Sequence, residues 1–145
     1  MIIEILKNEK RSPLFESESK IEPYHVIKPT DLRLFKKIGS GGFSTVYKGD
    51  YMGTKVAVKC ILNNQDLDQK ILTDFYREVN FLQKIRHPSL INMIGVTIHE
   101  NRLCIITEYM KNKSLLQMKE RSQVNLSKTK KIKIALQIGR FFIFL

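Results

Sequence analysis

Between Ile38 and Lys59 the chain reads I-G-S-G-G-F-S-T-V-Y-K-G-D-Y-M-G-T-K-V-A-V-K. The glycines Gly39, Gly41 and Gly42 interrupt two runs that favour β structure. Glycine backbone carries no Cβ, so an anion can approach it closely. The residues after the cluster narrow the folds it can belong to. In dinucleotide-binding folds the glycines open a helix. Here the next residues are Phe43-Ser44-Thr45-Val46-Tyr47, and β-branched and aromatic residues at that density favour a strand. A P-loop would end in Gly-Lys-Ser/Thr, and this stretch does not. A glycine-rich hairpin turn without a ligand is the plain alternative.

Lys59 and Glu78 add a second constraint. Side chains alternate between the faces of a strand, so Ala57 and Lys59 share one face and Val56 and Val58 the other. A lysine within V-A-V-K-C-I is costly to bury unpaired. It either snorkels to water from a strand end or is held for an anion. Downstream, Ile71, Phe75, Glu78, Leu82 and Ile85 recur at helical spacing, with Glu78 on the apolar stripe. A carboxylate there needs a cation. Lys59 is the favoured partner; the alternative is Arg77 or water at the edge of the stripe.

The remaining chain gives a coarse order of elements. Leu32, Leu34 and Ile38 predict a first strand starting near Asp31, Val46–Gly49 a second, and Lys55–Ile61 a third. The helix from Gln69 ends at Arg86-His87-Pro88, because the residue before proline avoids helical ψ. Leu90–Thr97 and Arg102–Glu108 predict two more strands, joined tightly by His99-Glu100-Asn101. Leu115–Glu120 is a short amphipathic piece. Ser127 is a candidate N-cap for a last helix whose apolar positions include Ile134, Ala135, Ile138, Phe141, Phe142 and Leu145. The order β-β-β-α-β-β-α-α with tight hairpins predicts an α+β fold built on a five-stranded antiparallel sheet.

At 145 residues there is room for one domain. Residues 1–30 are punctuated by Pro13, Pro23 and Pro29 and rich in Glu, Ser and Lys; they predict a flexible extension before a domain spanning 31–145. The formal charge is +11, and nine Lys or Arg face one Glu between Lys111 and Arg140. No aromatics interleave with these bases before Phe141, so a solvated lysine-rich surface is expected rather than a nucleic-acid site. No apolar run approaches the ~18 residues of a membrane span. Cys60 and Cys104 lie in apolar strand-like runs and predict two buried thiols in a reducing, intracellular compartment such as the cytoplasm.

G-S-G-G-F-S-T-V-Y-K-G, V-A-V-K, F-Y-R-E-V-N-F-L-Q-K-I-R-H-P-S-L and L-C-I-I-T-E-Y-M, in that order and at that spacing, resemble the amino-terminal lobe of eukaryotic protein kinases. The variety most resembles the tyrosine-kinase-like group of serine/threonine kinases. The resemblance implies an N-lobe over 31–110, with its five strands and αC helix. The hinge and the first helices of an incomplete C-lobe would occupy 111–145. It implies an ATP site with a phosphate-covering loop of Ile38, Gly39, Ser40, Gly41, Gly42, Phe43 and Ser44, where Ser44 stands in place of the usual third glycine. Val46 and Ala57 would cover the adenine. Lys59 would hold the α- and β-phosphates, oriented by Glu78. Thr107 matches the gatekeeper, and the Glu108 carbonyl and Met110 N–H would bond the adenine edge. A-L-Q-I-G-R resembles the run in the helix before the catalytic loop.

The motifs H-R-D, D-F-G and A-P-E do not occur in these 145 residues. With them go the family's catalytic Asp and the ligands of its Mg²⁺ ions. The expectation is therefore an inactive chain, as written a fragment of a kinase that phosphorylates protein Ser or Thr, with Tyr as a further possible acceptor. The last helix would leave Ile138, Phe142 and Leu145 uncovered. The alternative function is a non-catalytic half-kinase that docks to another protein.

Overall fold

The computed structural model describes residues 25–61, 69–112, 114–121 and 127–144. A 3₁₀ turn, Pro29–Asp31, leads into β1 (Leu32–Ser40), β2 (Ser44–Tyr51) and β3 (Thr54–Ile61). Helix α1 (Gln69–Lys84) precedes β4 (Met93–His99) and β5 (Arg102–Glu108), and α2 (Leu115–Arg121) and α3 (Lys128–Phe144) come last. The five strands form one antiparallel sheet in the order β1-β2-β3-β5-β4. The α+β architecture and order of elements are those read from the sequence. The fourth strand starts three residues later than predicted, after a turn in which the Leu90 N–H donates to the His87 carbonyl at 2.9 Å. The Ser89 N–H donates to His87 Nδ1 there at 3.0 Å.

Two hairpin turns close on residues with positive φ, Met52 and Gly53 in the first (48° and 84°) and Glu100 and Asn101 in the second (49° and 61°). Positive φ at both central residues is the turn whose twist matches that of paired strands. The Gly53 N–H donates to Asp50 Oδ1 at 2.9 Å, which fixes the first turn. Ser114 and Ser127 cap the last two helices, accepting from the backbone N–H of Gln117 at 3.2 Å and of Lys130 at 3.4 Å.

Strand alternation divides the apolar side chains between two cores. Val56, Val58, Cys60, Cys104 and Ile106 face one side of the sheet with Leu32 and Ile27. Ile61, Val96, Leu103 and Ile105 face the other, against Phe75, Tyr76 and Val79 of α1. β5 alternates between both cores, so its uninterrupted run L-C-I-I is buried on both faces. Phe75 and Tyr76 meet edge to face with ring centroids 5.5 Å apart.

Two expectations are corrected. The packed region begins before Asp31. His25 to Ile27 run parallel to β4, with the Ile27 N–H donating to the Val96 carbonyl at 2.8 Å and the Val96 N–H to the His25 carbonyl at 2.9 Å. Ile27 is 1% exposed, and the buried Thr97 hydroxyl donates to its carbonyl at 2.7 Å. A Cβ on Gly95 would lie 2.5 Å from the His25 carbonyl oxygen, so glycine is what admits the segment. The residues before 25 lie outside the described residues. Cys60 and Cys104, expected as separate thiols, are direct cross-strand partners on β3 and β5 and are paired as a disulfide. Strand register put them 4.2 Å apart at Cα, and register is not visible in a spacing of 44 residues.

On α3, Ile132, Leu136, Ile138 and Phe142 are each at least half exposed. The stripe expected there is thus uncovered at Ile138 and Phe142; Leu145 lies outside the described residues. Among the described residues no helix is long and apolar enough to cross a membrane.

Candidate nucleotide site

Register assembles the site on the face of the sheet that carries α1. Gly39 pairs with Val46, Val46 with Lys59, and Lys59 with Ile105, which makes one row across four strands. The next row is Lys48, Ala57, Thr107 and Met93. Residues directly opposite one another project to the same side. Val46, Ala57, Lys59 and Thr107 therefore share a face, with the small Ala57 standing between Lys48 and Thr107.

From α1, Glu78 reaches down to this face. Its two carboxylate oxygens accept from Lys59 Nζ at 2.8 and 2.6 Å. Arg77, the alternative partner, turns instead to Asp74 at 3.6 Å. The Lys59 and Glu78 side chains are 38% and 40% exposed. The expectation of two charges stranded in an apolar interior is corrected to that extent: the pair lies in an open cleft. An ammonium held there by one carboxylate keeps donor capacity, since it carries three N–H groups.

The glycine turn stands at the end of the same face. Gly41, Gly42 and Phe43 join β1 to β2, with the Gly41 N–H donating to the Ser44 carbonyl at 2.8 Å. Ser40 and Phe43 are exposed, Phe43 to 67%, and Ile38 and Ser44 are half-buried. None of Gly39, Gly41 and Gly42 has a positive φ. A Cβ at Gly39 or Gly41 would meet nothing closer than 3.8 and 3.6 Å, and at Gly42 nothing within 4 Å. Gly49 differs, since a Cβ there would lie 2.9 Å from the Arg33 carbonyl oxygen. The fold thus needs glycine at 49, 53 and 95 but not at 39, 41 or 42. Glycines a fold does not need fit a backbone that something outside the chain must approach.

At the other end, β5 runs out into Glu108-Tyr109-Met110. The Glu108 N–H donates to the Asn92 carbonyl at 3.0 Å, and the Asn92 N–H donates to Glu108 Oε1 at 2.7 Å. The Thr107 hydroxyl is 3.4 Å from the Glu108 carbonyl oxygen. Met110 is 42% exposed. Sequence reasoning assigned Glu108 a backbone role and missed that its side chain ties this segment to the start of β4. It also missed Lys48, whose ammonium lies 5.2 Å from the centroid of the Tyr109 ring. Strand alternation from Val46 could have placed Lys48 on the site face. A groove of about 350 Å³ between His87, Leu90 and Glu108 lies beyond this segment and does not include Lys59.

The face thus combines an open glycine turn, a fixed cation and the small Ala57 beside exposed strand-end backbone. Among the described residues no three His, Cys, Asp or Glu gather as a metal site.

Residues 32–145 match the family model described as protein tyrosine and serine/threonine kinase. A probable serine/threonine-protein kinase of Dictyostelium discoideum is 38% identical over 117 residues, covering 80% of this chain and 22% of its own. The serine/threonine-protein kinase CTR1 of Arabidopsis thaliana is 32% identical over 112 residues, 76% of this chain and 14% of its own. The serine/threonine-protein kinase VIK of the same plant is 32% identical across 99% of this chain and 36% of its own. The chain spans a minor part of the length of each.

Proposed function

Because the chain belongs to the protein tyrosine and serine/threonine kinase family, we propose that its Lys59 face is the roof of an ATP site serving phosphoryl transfer to protein side chains. Serine and threonine are the favoured acceptors, on the strength of the relatives' names. The observation that carries the reading is the Lys59–Glu78 pair, set in one row of the sheet with Val46 and Gly39.

The roles follow the family resemblance, and the geometry is compatible with them. With the Gly41 N–H held by the Ser44 carbonyl, the tip of the turn at Gly42 and Phe43 offers its backbone N–H groups to phosphate oxygens, and the absence of side chains at Gly41 and Gly42 lets them come close. Lys59 supplies the charge, and Glu78 holds its Nζ so that little side-chain freedom is lost on binding. Val46 and Ala57 cover the flat face of the base. The Glu108 carbonyl and the Met110 N–H take its hydrogen-bonding edge, and Thr107 stands at the back of the site. Bound ATP supplies the phosphoryl group; these residues bind and orient it.

The test is thermal unfolding of the full chain with and without ATP. A ligand at about 100 times its Kd adds about 2.7 kcal/mol. The expected result is a rise in Tm that is lost in Lys59→Ala. ATP binding that ignores Lys59→Ala would place the nucleotide elsewhere.

A further inference from the structure

The face that carries Lys59 carries a second lysine, Lys48, to which the ATP reading gives no role. Lys48 sits two residues after Val46 and directly opposite Ala57, which sits opposite Thr107. Its ammonium reaches 5.2 Å from the centroid of the Tyr109 ring. Lys48 is on β2 and Tyr109 comes just after β5, with β3 between them. Neighbouring strands lie about 4.8 Å apart, so the contact spans roughly 10 Å of sheet. The two side chains meet across β3, and both are half-buried.

The last β3–β5 pair is Val56 with Glu108, so Tyr109 lies just beyond the ladder. On the β4 side, the paired hydrogen bonds between Glu108 and Asn92 hold the strand end. On the β2 side, the Lys48 ammonium over the Tyr109 ring holds the next residue. The segment is thus tied from both flanks at the residue between Glu108 and Met110, whose backbone groups face the base in the ATP reading.

We propose that Lys48 and Tyr109 are positioning residues for the base: their cation–π contact clips the segment after β5 to the roof and sets the outer wall of the cleft. The inference rests on the ATP-site reading and assigns part of that site's recognition to a side-chain pair. A clip of this kind acts on the base and not on the phosphates, because Lys48 is engaged by the ring while Lys59 is engaged by Glu78. Cation–π contacts that stay partly open to solvent correspond to about two- to fivefold in an equilibrium constant, the low end of their range.

The experiment uses the full chain and two probes, adenosine and inorganic tripolyphosphate, each measured by calorimetry. Lys48→Met keeps the aliphatic stem and removes the charge; Tyr109→Leu removes the ring. Each is expected to weaken adenosine binding about two- to fivefold, and the double variant no further than either single one. Lys48→Arg and Tyr109→Phe keep a cation over a ring and are expected to bind adenosine as the unsubstituted chain does. Tripolyphosphate affinity is expected to be the same in all. Equal loss of both probes in Lys48→Met would make Lys48 a phosphate contact and overturn the inference. So would additive losses, unchanged adenosine affinity, or failure of the two conservative variants to retain binding. An unsubstituted chain that binds neither probe overturns the ATP-site reading along with it.

Discussion

The docking of His25–Ile27 against β4 gives a prediction whose size can be worked from contacts. Ile27 is 1% exposed and touches the core shared by Val56, Val58 and Ile106. Truncating a buried isoleucine to alanine costs about 2–5 kcal/mol. Thr97→Val keeps the shape of the side chain but removes the donor to the Ile27 carbonyl, and an orphaned buried acceptor costs about 1–3 kcal/mol. Gly95→Ala puts a methyl 2.5 Å from the His25 carbonyl oxygen, where no flexible atom can give way. It should expel the segment and lose most of what Ile27 contributes. The three changes act through one segment, so their effects should not add. In the Ile27→Ala background, Gly95→Ala should cost much less than it does alone. Urea unfolding of the full chain is the assay, monitored by circular dichroism because the chain has no tryptophan. Additive costs for Ile27→Ala and Gly95→Ala, or a Gly95→Ala variant as stable as the original, would refute the docking of the segment.

The glycine turn yields a contrast between stability and binding. Gly42→Ala meets nothing within 4 Å and should change stability by less than about 0.5 kcal/mol while weakening ATP binding. Gly53→Ala, at φ 84°, should cost about 1–2 kcal/mol in urea unfolding and leave ATP binding alone. The Lys59–Glu78 pair, with each side chain more than a third exposed, should show a coupling of about 0.2–1 kcal/mol in a stability cycle of Lys59→Met and Glu78→Gln. A coupling several times larger would mean a buried pair. Thiol titration of the denatured, unreduced chain should find no free cysteine; two titratable thiols would show Cys60 and Cys104 apart.

Alternation and period were readable from the sequence, and register was not. The run V-A-V-K-C-I shows which residues of β3 share a face, but not that Lys59 stands between Val46 and Ile105. The Lys59–Glu78 pair could be read because two charges stood where apolar residues were expected. The cystine could not, since a cysteine in an apolar strand reads the same whether its neighbour is valine or a second cysteine. The stretch H-V-I-K-P sits between prolines and carries one strongly buried side chain, too few for any periodicity to show. Its partners, Gly95 and Thr97, look in sequence like a weak spot and a β-branched filler. Their meaning appears only when the carbonyls of His25 and Ile27 are set against them.

The glycines separate along the same line. Counted in the sequence, the seven are alike. In the structure, Gly49 and Gly95 are demanded by backbone oxygens within 2.9 Å of a would-be Cβ, and Gly53 by its φ. Gly39, Gly41, Gly42 and, in α3, Gly139 answer to neither demand, and the first three form the densest cluster. Glycine in place of a larger residue costs conformational entropy on folding. A cluster that bears this cost without a steric return inside the chain suits a ligand outside it. The open turn, the row that leads from Gly39 through Val46 to Lys59, and the carboxylate that holds Lys59 in place lie along one surface. On the proposed ATP reading one phosphate chain would meet all three, with its oxygens on the turn and its charge on Lys59, and the rest of the nucleotide would lie over Ala57.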